Sequence, residues 1–201
     1  GMLVQQETKL AKAEEVDKIA LISIDNNGDH LKDITYKELD NFSSKFANAL
    51  LGLGVSKNDN ILVVLPRIPE WYFSLFGCAK MGAVAMPGTN LLTQNDIEYR
   101  INVSGAKAAI VTEAHAKFIE NIKDKCPTLE NLIIVKGEKP GWHSFEALCL
   151  ESSDYIDRTM VQETASSDPM LIYFTSGSTA MPKMVERDHA YAFSHIITKS
   201  F

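Results

Sequence analysis

Nine consecutive residues near the end of the chain have the types and spacing to hold phosphate: Thr175, Ser176, Gly177, Ser178, Thr179, Ala180, Met181, Pro182 and Lys183. Small residues let a loop turn several backbone N–H groups toward one point, and a concave set of such donors binds anions. The hydroxyls of Thr175, Ser176, Ser178 and Thr179 add neutral donors. Lys183 adds a compact positive charge suited to phosphate. The apolar run Met170 to Phe174 leads into the loop and reads as a buried strand. These residues together predict a polyphosphate cradle at the end of a strand.

Two other phosphate or acyl-transfer signatures are excluded. A Walker A loop needs G-x-x-x-x-G-K-[ST], whereas Lys183 is followed by Met184 and the stretch holds only Gly177. A G-x-S-x-G nucleophile elbow needs a second glycine that is absent here. Asp188-His189, close behind the loop, therefore lacks a nucleophile to serve and reads as structural. His30, His115 and His143 lie far apart with no ligand spacing and read as surface or internally satisfied side chains. Asp25, Asn27 and Asp29 alternate like the start of a calcium loop. His30 stands where such a loop needs Gly and Tyr36 where it needs Glu, so the segment reads as a turn and no metal site is expected. Arg67 follows a strand end, where it can approach a ligand or form an ion pair.

The elements that must position the loop follow from pattern. Ile19–Ile24 and His30–Tyr36 flank Asn26-Asn27-Gly28-Asp29, a hairpin signal. Thr35 and Glu38 form a capping box, and Leu39, Phe42, Phe46, Leu50 and Leu53 then share one helical face. Gly52 and Gly54 end that helix. Ile61–Leu65 is an apolar run of strand length. Pro69 opens a helix that is apolar nearly all round to Met81 and is expected to be buried, with Trp71 and Tyr72 as core aromatics rather than pocket walls. Ala83–Pro87, Ala108–Val111, Leu132–Val135, Met170–Phe174 and Lys183–Arg187 read as further strands. Thr93–Val103, a second capped helix with Asp96 three residues after Thr93, and 113–125, 143–151 and Ala190–Phe201 read as helices, and 154–168 as surface loop. Residues 3–18 read as a polar helix or lead-in.

Strands alternating with helices predict an α/β fold with a mostly parallel sheet flanked by helices, preceded by an N-terminal β-hairpin. Ligands of such sheets bind at the carboxyl ends of strands, where residues 175–183 fall. The 201 residues are 45% hydrophobic and 23% charged, ordinary for a globular protein. A net charge of −6 gives no footprint for nucleic acid. No run approaches the ~20 apolar residues of a membrane span. Three scattered cysteines, Cys78, Cys126 and Cys149, predict reduced core thiols and a cytoplasmic protein.

The loop resembles the T-S-G-T-T-G-x-P-K phosphate loop of the AMP-forming acyl- and acetyl-CoA synthetases, within the adenylate-forming ligase superfamily. Ala180 stands where that family usually has Gly, and it is strained if the position requires a positive φ. The resemblance extends over Ala49-Leu-Leu-Gly-Leu-Gly54, Leu65-Pro66, Pro69-Glu70-Trp71, Met81-Gly82-Ala83-Val84 and Met86-Pro87-Gly88-Thr89. The run Val63 to Trp71, Gly77-Cys78, Gly141-Trp142 with Phe145, and Tyr173-Phe174 are similar to medium-chain (butyrate-type) members.

The resemblance implies an acid–thiol ligase that converts a short- or medium-chain fatty acid, ATP and CoA to acyl-CoA, AMP and pyrophosphate, with Mg²⁺ entering alongside ATP. It implies nucleotide contacts at Thr175 through Lys183, and a loop at Thr89–Leu92 that can face the thiol-acceptor tunnel. The family's later motifs are absent from these residues: a Tyr-Gly-x-Thr-Glu run, a ribose-binding Asp and a catalytic Lys. No catalytic residue is therefore assigned. Residues 1–18 read as an expression-tag scar (Gly1 before Met2) plus lead-in, and residues 19–201 as a partial N-terminal adenylation domain, truncated at its C-terminal end and inactive alone. Surface normally covered by the rest is then expected to promote self-association. Two alternatives stay open: an adenylating enzyme with a different acceptor, such as a carrier-protein thiol or a luciferase-like oxygenation, and a non-catalytic module that binds a nucleotide or partner.

Overall fold

The computed structural model describes residues 17–25, 27–175, 181–192 and 194. The expected lead-in over 3–16 lies outside them. Strands β1 (Ile19–Ile24) and β2 (His30–Thr35) pair antiparallel as the expected hairpin. Its turn is held by Asp25, whose Oδ1 accepts the N–H groups of Asn27 at 2.8 Å and Asp29 at 2.9 Å. Those donors hold the Asp25 carboxyl below the usual carboxylate range.

Helix α1 (Tyr36–Gly52) starts at the capping box read from sequence. Glu38 N–H donates to Thr35 Oγ1 at 3.1 Å and Thr35 N–H to Glu38 Oε2 at 2.9 Å. Phe46 and Leu50 are fully buried, with Leu39, Phe42 and Leu53 packed at the margin. Helix α2 (Pro69–Met81) has Pro in its first turn and ends at Gly82, which has a left-handed φ of 79°. The two helices approach closely at Gly77. A Cβ there would lie 3.0 Å from Phe46 Cδ1 and 3.1 Å from the Ser43 carbonyl oxygen. The expectation that α2 is buried all round is corrected by Phe76, 47% exposed on its outer face. Apolar content alone does not tell which side of a helix a sheet will cover. Trp71 and Tyr72 pack edge to face at 4.9 Å, half-buried at the rim of the core.

Among the described residues the main sheet has seven strands, β3 (Asn60–Val64), β4 (Val84–Gly88), β5 (Ala108–Thr112), β6 (Asn131–Val135), β7 (His143–Ser144), β8 (Pro169–Thr175) and β9 (Lys183–Asp188), in the order β7-β6-β5-β3-β4-β8-β9. Its parallel centre is β3, β4, β5 and β6. Alternation along each strand builds two cores. Ile61, Val63, Ala85, Ala108, Ile110, Ile133 and Val135 face α1, α2 and α5 (Phe145–Glu151). Leu62, Val64, Met86, Ala109, Val111, Leu132 and Ile134 face α3 (Gln94–Ser104) and α4 (Glu113–Ile122). The interiors of these strands are apolar on both sides because both sides are covered. Each large side chain so buried contributes about 1.5–3 kcal/mol.

Two sequence expectations need correction. The segment 143–151 is not all helix. His143–Ser144 forms β7, parallel to β6, and only Phe145–Glu151 is helical. A two-residue strand is too short to show periodicity. The helix expected over 113–125 stops at Ile122, and Lys123–Lys125 form a 3₁₀ turn. The segment 154–168 runs over the surface but is tied down. Lys57 Nζ lies 2.7 Å from Asp168 Oδ2 and donates to the Glu163 carbonyl at 2.7 Å, and Asn48 donates to the carbonyls of Ser153 and Tyr155.

Cys78, Cys126 and Cys149 are free and buried, and burial pushes the Cys78 and Cys149 thiols up to about 12. Among the described residues no helix is long and apolar enough to cross a membrane. The helix expected from Ala190 begins there, and residues 193 and 195–201 lie outside the description.

Candidate functional site

Strand β8 (Pro169–Thr175) continues the parallel sheet beside β4, and β9 (Lys183–Asp188) returns antiparallel along it. The ladder between them ends at Thr175 opposite Lys183. The first and last residues of the stretch read from sequence as a phosphate loop thus stand side by side. Ser176, Gly177, Ser178, Thr179 and Ala180 lie outside the described residues. Of the remaining four, Thr175, Met181 and Lys183 are exposed and Pro182 is half-buried. Lys183 forms no ion pair among the described residues, so its charge is available to an anion.

The strand register puts this loop at the carboxyl edge of the sheet. Leu171 pairs with Ala85, so counting along the two parallel strands brings Thr175 level with Thr89. The loop after β4 therefore starts beside Thr175. Gly88 lets it turn there, because a Cβ would meet Leu92 Cδ1 at 2.6 Å. Leu92 is buried beneath it, Leu91 is exposed, and Thr89 Oγ1 accepts the Leu91 N–H at 3.0 Å.

His115, in the first turn of α4, holds the same loop. Its Nε2 lies 3.1 Å from the Asn90 carbonyl oxygen, and the residue is 6% exposed. That contact sets Nε2 as the proton-bearing nitrogen, since a carbonyl oxygen only accepts. Its Nδ1 is buried with no partner among the described residues. The reading of His115 as surface or internally satisfied is met at Nε2 and not at Nδ1, and a lone histidine on a helix carries no local signal of burial. His30 is 2.8 Å from Asp33, and His143 is exposed on β7.

The residues that sequence reasoning missed are on α3. Tyr99 Oη donates to the Pro182 carbonyl at 2.9 Å, and its ring meets Phe174 edge to face at 6.2 Å. The Arg100 guanidinium lies 4.9 Å from the Phe174 ring centre. Arg100 is itself anchored by the Asp96 backbone carbonyl at 3.0 Å and its carboxylate at 3.6 Å. Asp96 closes the α3 capping box, accepting from Thr93 Oγ1 at 2.7 Å and Thr93 N–H at 3.0 Å. Those Thr93 hydrogen bonds, and then Arg100, hold the Asp96 carboxyl below its ordinary range. The capping box was legible; its reach to the loop was not, because Tyr99 and Pro182 are 83 residues apart.

Other candidates stand away from this edge or serve structure. Arg67 is exposed after β3 and makes no ion pair among the described residues, so of its two readings the ion pair is not formed. Asp188 Oδ1 accepts the Tyr191 N–H at 3.1 Å, and the His189 N–H donates to the Asp168 carbonyl at 3.0 Å. The second contact ties the end of β9 to the residue before β8, and the first joins β9 to the helical turn that follows it. Among the described residues no group of three or more His, Cys, Asp or Glu is placed to hold a metal.

Comparison with known proteins agrees with this architecture. The sequence profile of a family described as "AMP-binding enzyme" matches residues 8–200. The rat protein "Acyl-coenzyme A synthetase ACSM4, mitochondrial" is 37% identical over 191 residues, covering 94% of this chain and 32% of that protein. Human "Acyl-coenzyme A synthetase ACSM5, mitochondrial" is 38% identical over 158 residues, 78% of this chain and 27% of that protein. The crystal structure of the anthranilate CoA ligase AuaEII in complex with anthranoyl-AMP superposes with a TM-score of 0.80 at 25% identity, over 89% of this chain and 33% of that one. The chain spans about a third of the length of the curated relatives it matches. With a parallel sheet covered on both faces and this profile match, the chain belongs to the AMP-binding enzyme family.

Proposed function

We propose that the protein is an AMP-forming acid–thiol ligase acting on short- or medium-chain fatty acids. In this reading a carboxylate oxygen attacks the α-phosphorus of ATP and pyrophosphate leaves. The CoA thiol sulfur then attacks the acyl carbon and releases AMP, losing its proton to solvent. Mg²⁺ enters with the triphosphate. The chain's own part is to hold the β- and γ-phosphates through Thr175–Lys183, with the Lys183 ammonium offsetting charge that builds on the leaving pyrophosphate.

The observation that carries this reading is the closure of the loop at the carboxyl edge of a parallel sheet, with Thr175 opposite Lys183. The loop at Thr89–Leu92, level with it, is the reading's candidate for the thiol-acceptor side. Residues 19–201 are assigned to part of an adenylation domain. Adenylation is expected to need residues from the two-thirds of the relatives that lie outside the aligned segment. The three free buried thiols suit a reducing compartment such as the cytoplasm. Exposed apolar side chains on the hairpin, Tyr173, Met181 and Met184, are expected to favour self-association of the isolated chain.

Carboxylate-dependent ATP–pyrophosphate exchange tests this. A product extended to the length of the relatives is compared with the 201-residue chain, using acetate, butyrate, hexanoate and octanoate. Exchange in the long form alone supports the ligase reading and ranks the acids. Absence of exchange with every acid refutes it and favours a binding module.

A further inference from the structure

We propose that Tyr99 is a positioning residue for the phosphate loop, setting the loop's second flank through the Pro182 carbonyl. The inference rests on the ligase reading above for its functional consequence. Its structural half stands by itself.

The two flanks of the loop are fixed in different ways. The first is strand β8, where Ile172 is buried and Phe174 packs against the α3–α4 face. The second begins beyond the last ladder pair, Thr175–Lys183, so Pro182 has no opposite residue in β8. Its carbonyl still needs a donor. The Tyr99 hydroxyl supplies one at 2.9 Å from a helix 83 residues earlier. Tyr99 also touches the first flank, through the ring contact with Phe174. One side chain thus contacts both flanks of a loop that must present donors at fixed separation. Arg100, on the next position of α3, covers another part of Phe174 and is locked by Asp96. Lys183 directly follows the pinned carbonyl, so the Tyr99 hydrogen bond sets where its backbone, and hence its charge, can lie.

The substitution that isolates the hydroxyl is Tyr99→Phe, which keeps the ring against Phe174. A neutral hydrogen bond of this kind corresponds to a change of about five- to tenfold in an equilibrium constant. In the full-length protein Tyr99→Phe is expected to raise KM for ATP in pyrophosphate exchange by about that factor, leaving KM for the acid unchanged. Ser104→Ala is the control. It removes a hydroxyl bonded to the Arg100 carbonyl at 2.6 Å, at the other end of the same helix, and is expected to leave KM for ATP where it was.

A second readout needs no activity. Trypsin cleavage after Lys183, followed on folded full-length protein, is expected to quicken several-fold in Tyr99→Phe relative to the unmutated protein and to Ser104→Ala. Unmutated protein without exchange, but with faster cleavage in Tyr99→Phe, would refute the ligase reading and leave the positioning role standing. Unchanged KM for ATP together with unchanged cleavage would overturn the positioning role, even in an active ligase. A loss of thermal stability equal to that of Ser104→Ala, with no change in either readout, would make Tyr99 a packing residue only.

Discussion

The contact between α1 and α2 predicts opposite outcomes for one substitution at two helical glycines. Gly77→Ala and Gly52→Ala both exchange glycine for the best helix former, a gain of up to about 1 kcal/mol in a helix interior and less near an end. At Gly52 a Cβ meets nothing within 4 Å. At Gly77 it meets Phe46 Cδ1 at 3.0 Å, the Ser43 carbonyl oxygen at 3.1 Å and the Ala47 nitrogen at 3.4 Å. Phe46 can rotate only against Phe145, stacked on it at 4.5 Å, and the two backbone atoms yield only if α1 moves. Overpacking of a tight core costs about 1–3 kcal/mol, and with backbone on one side the upper half of that range applies. The net expectation for Gly77→Ala is a loss of about 1–2 kcal/mol, or ~2–8 °C in Tm for a domain of this size. Gly52→Ala is expected to raise Tm by about 1–2 °C. Urea and thermal unfolding of both variants measure this directly. A double-mutant cycle with Phe46→Leu then reports how much of the crowding comes from that ring. If Gly77→Ala stabilised the protein as Gly52→Ala does, the close approach of α1 and α2 would be refuted.

Other outcomes follow from charge and burial. Burial holds the His189 imidazole below the ordinary histidine value of 6.5, against the pull of Asp168 and Asp188, so the unfolded chain binds its proton more readily than the folded one. Stability from this residue is full above about pH 6.5 and lost as pH falls, so Tm is expected to drop as pH falls below about 6.5, and His189→Gln to flatten that slope. The carboxylates Glu38 and Asp96, held low by their capping boxes, lose their contribution in a separate window, below about pH 4.5. Thr93→Ala removes the α3 cap and is expected to cost about 1 kcal/mol, read as a fall in Tm. Cys78, Cys126 and Cys149 are expected to stay unreactive toward an aromatic disulfide reagent in the folded chain, and all three to react after denaturation.

What sequence pattern reveals here is set by distance along the chain. The capping boxes at Thr35–Glu38 and Thr93–Asp96 were readable because donor and acceptor lie three residues apart. The strands β3, β5 and β6 were readable because both of their faces are buried, leaving an unbroken apolar run. The phosphate-loop reading of Thr175–Lys183 rests on a string of residue types, and 176–180 lie outside the described residues. The strand order β7-β6-β5-β3-β4-β8-β9 was not readable, since apolar runs carry no address for their partners. Phe76 and Phe73 sit in one helix with identical side chains, yet one faces outward and the other the core. Tyr99 and His115 failed for the same reason: each acts on a carbonyl in another loop, and neither has a neighbour in sequence that marks it.

The attachment of β8 to the parallel sheet has a consequence for how the protein opens. β3 and β4 share five registered pairs, and β5 and β6 another five, while β4 and β8 share one, Ala85 with Leu171. The hairpin that carries the loop is therefore bound to the body mainly by side chains, Ile172 and Phe174 among them. Its amides are tied to one another rather than to the sheet centre. Such a piece forms a cooperative unit of its own, able to detach and re-dock at lower free energy than global unfolding. Amide hydrogens of β8 and β9 are expected to exchange with solvent together and ahead of those in β3 and β5. Any ligand gripped by the loop would slow that exchange in proportion to its occupancy, so deuterium uptake at this edge becomes a gauge of binding that does not depend on turnover.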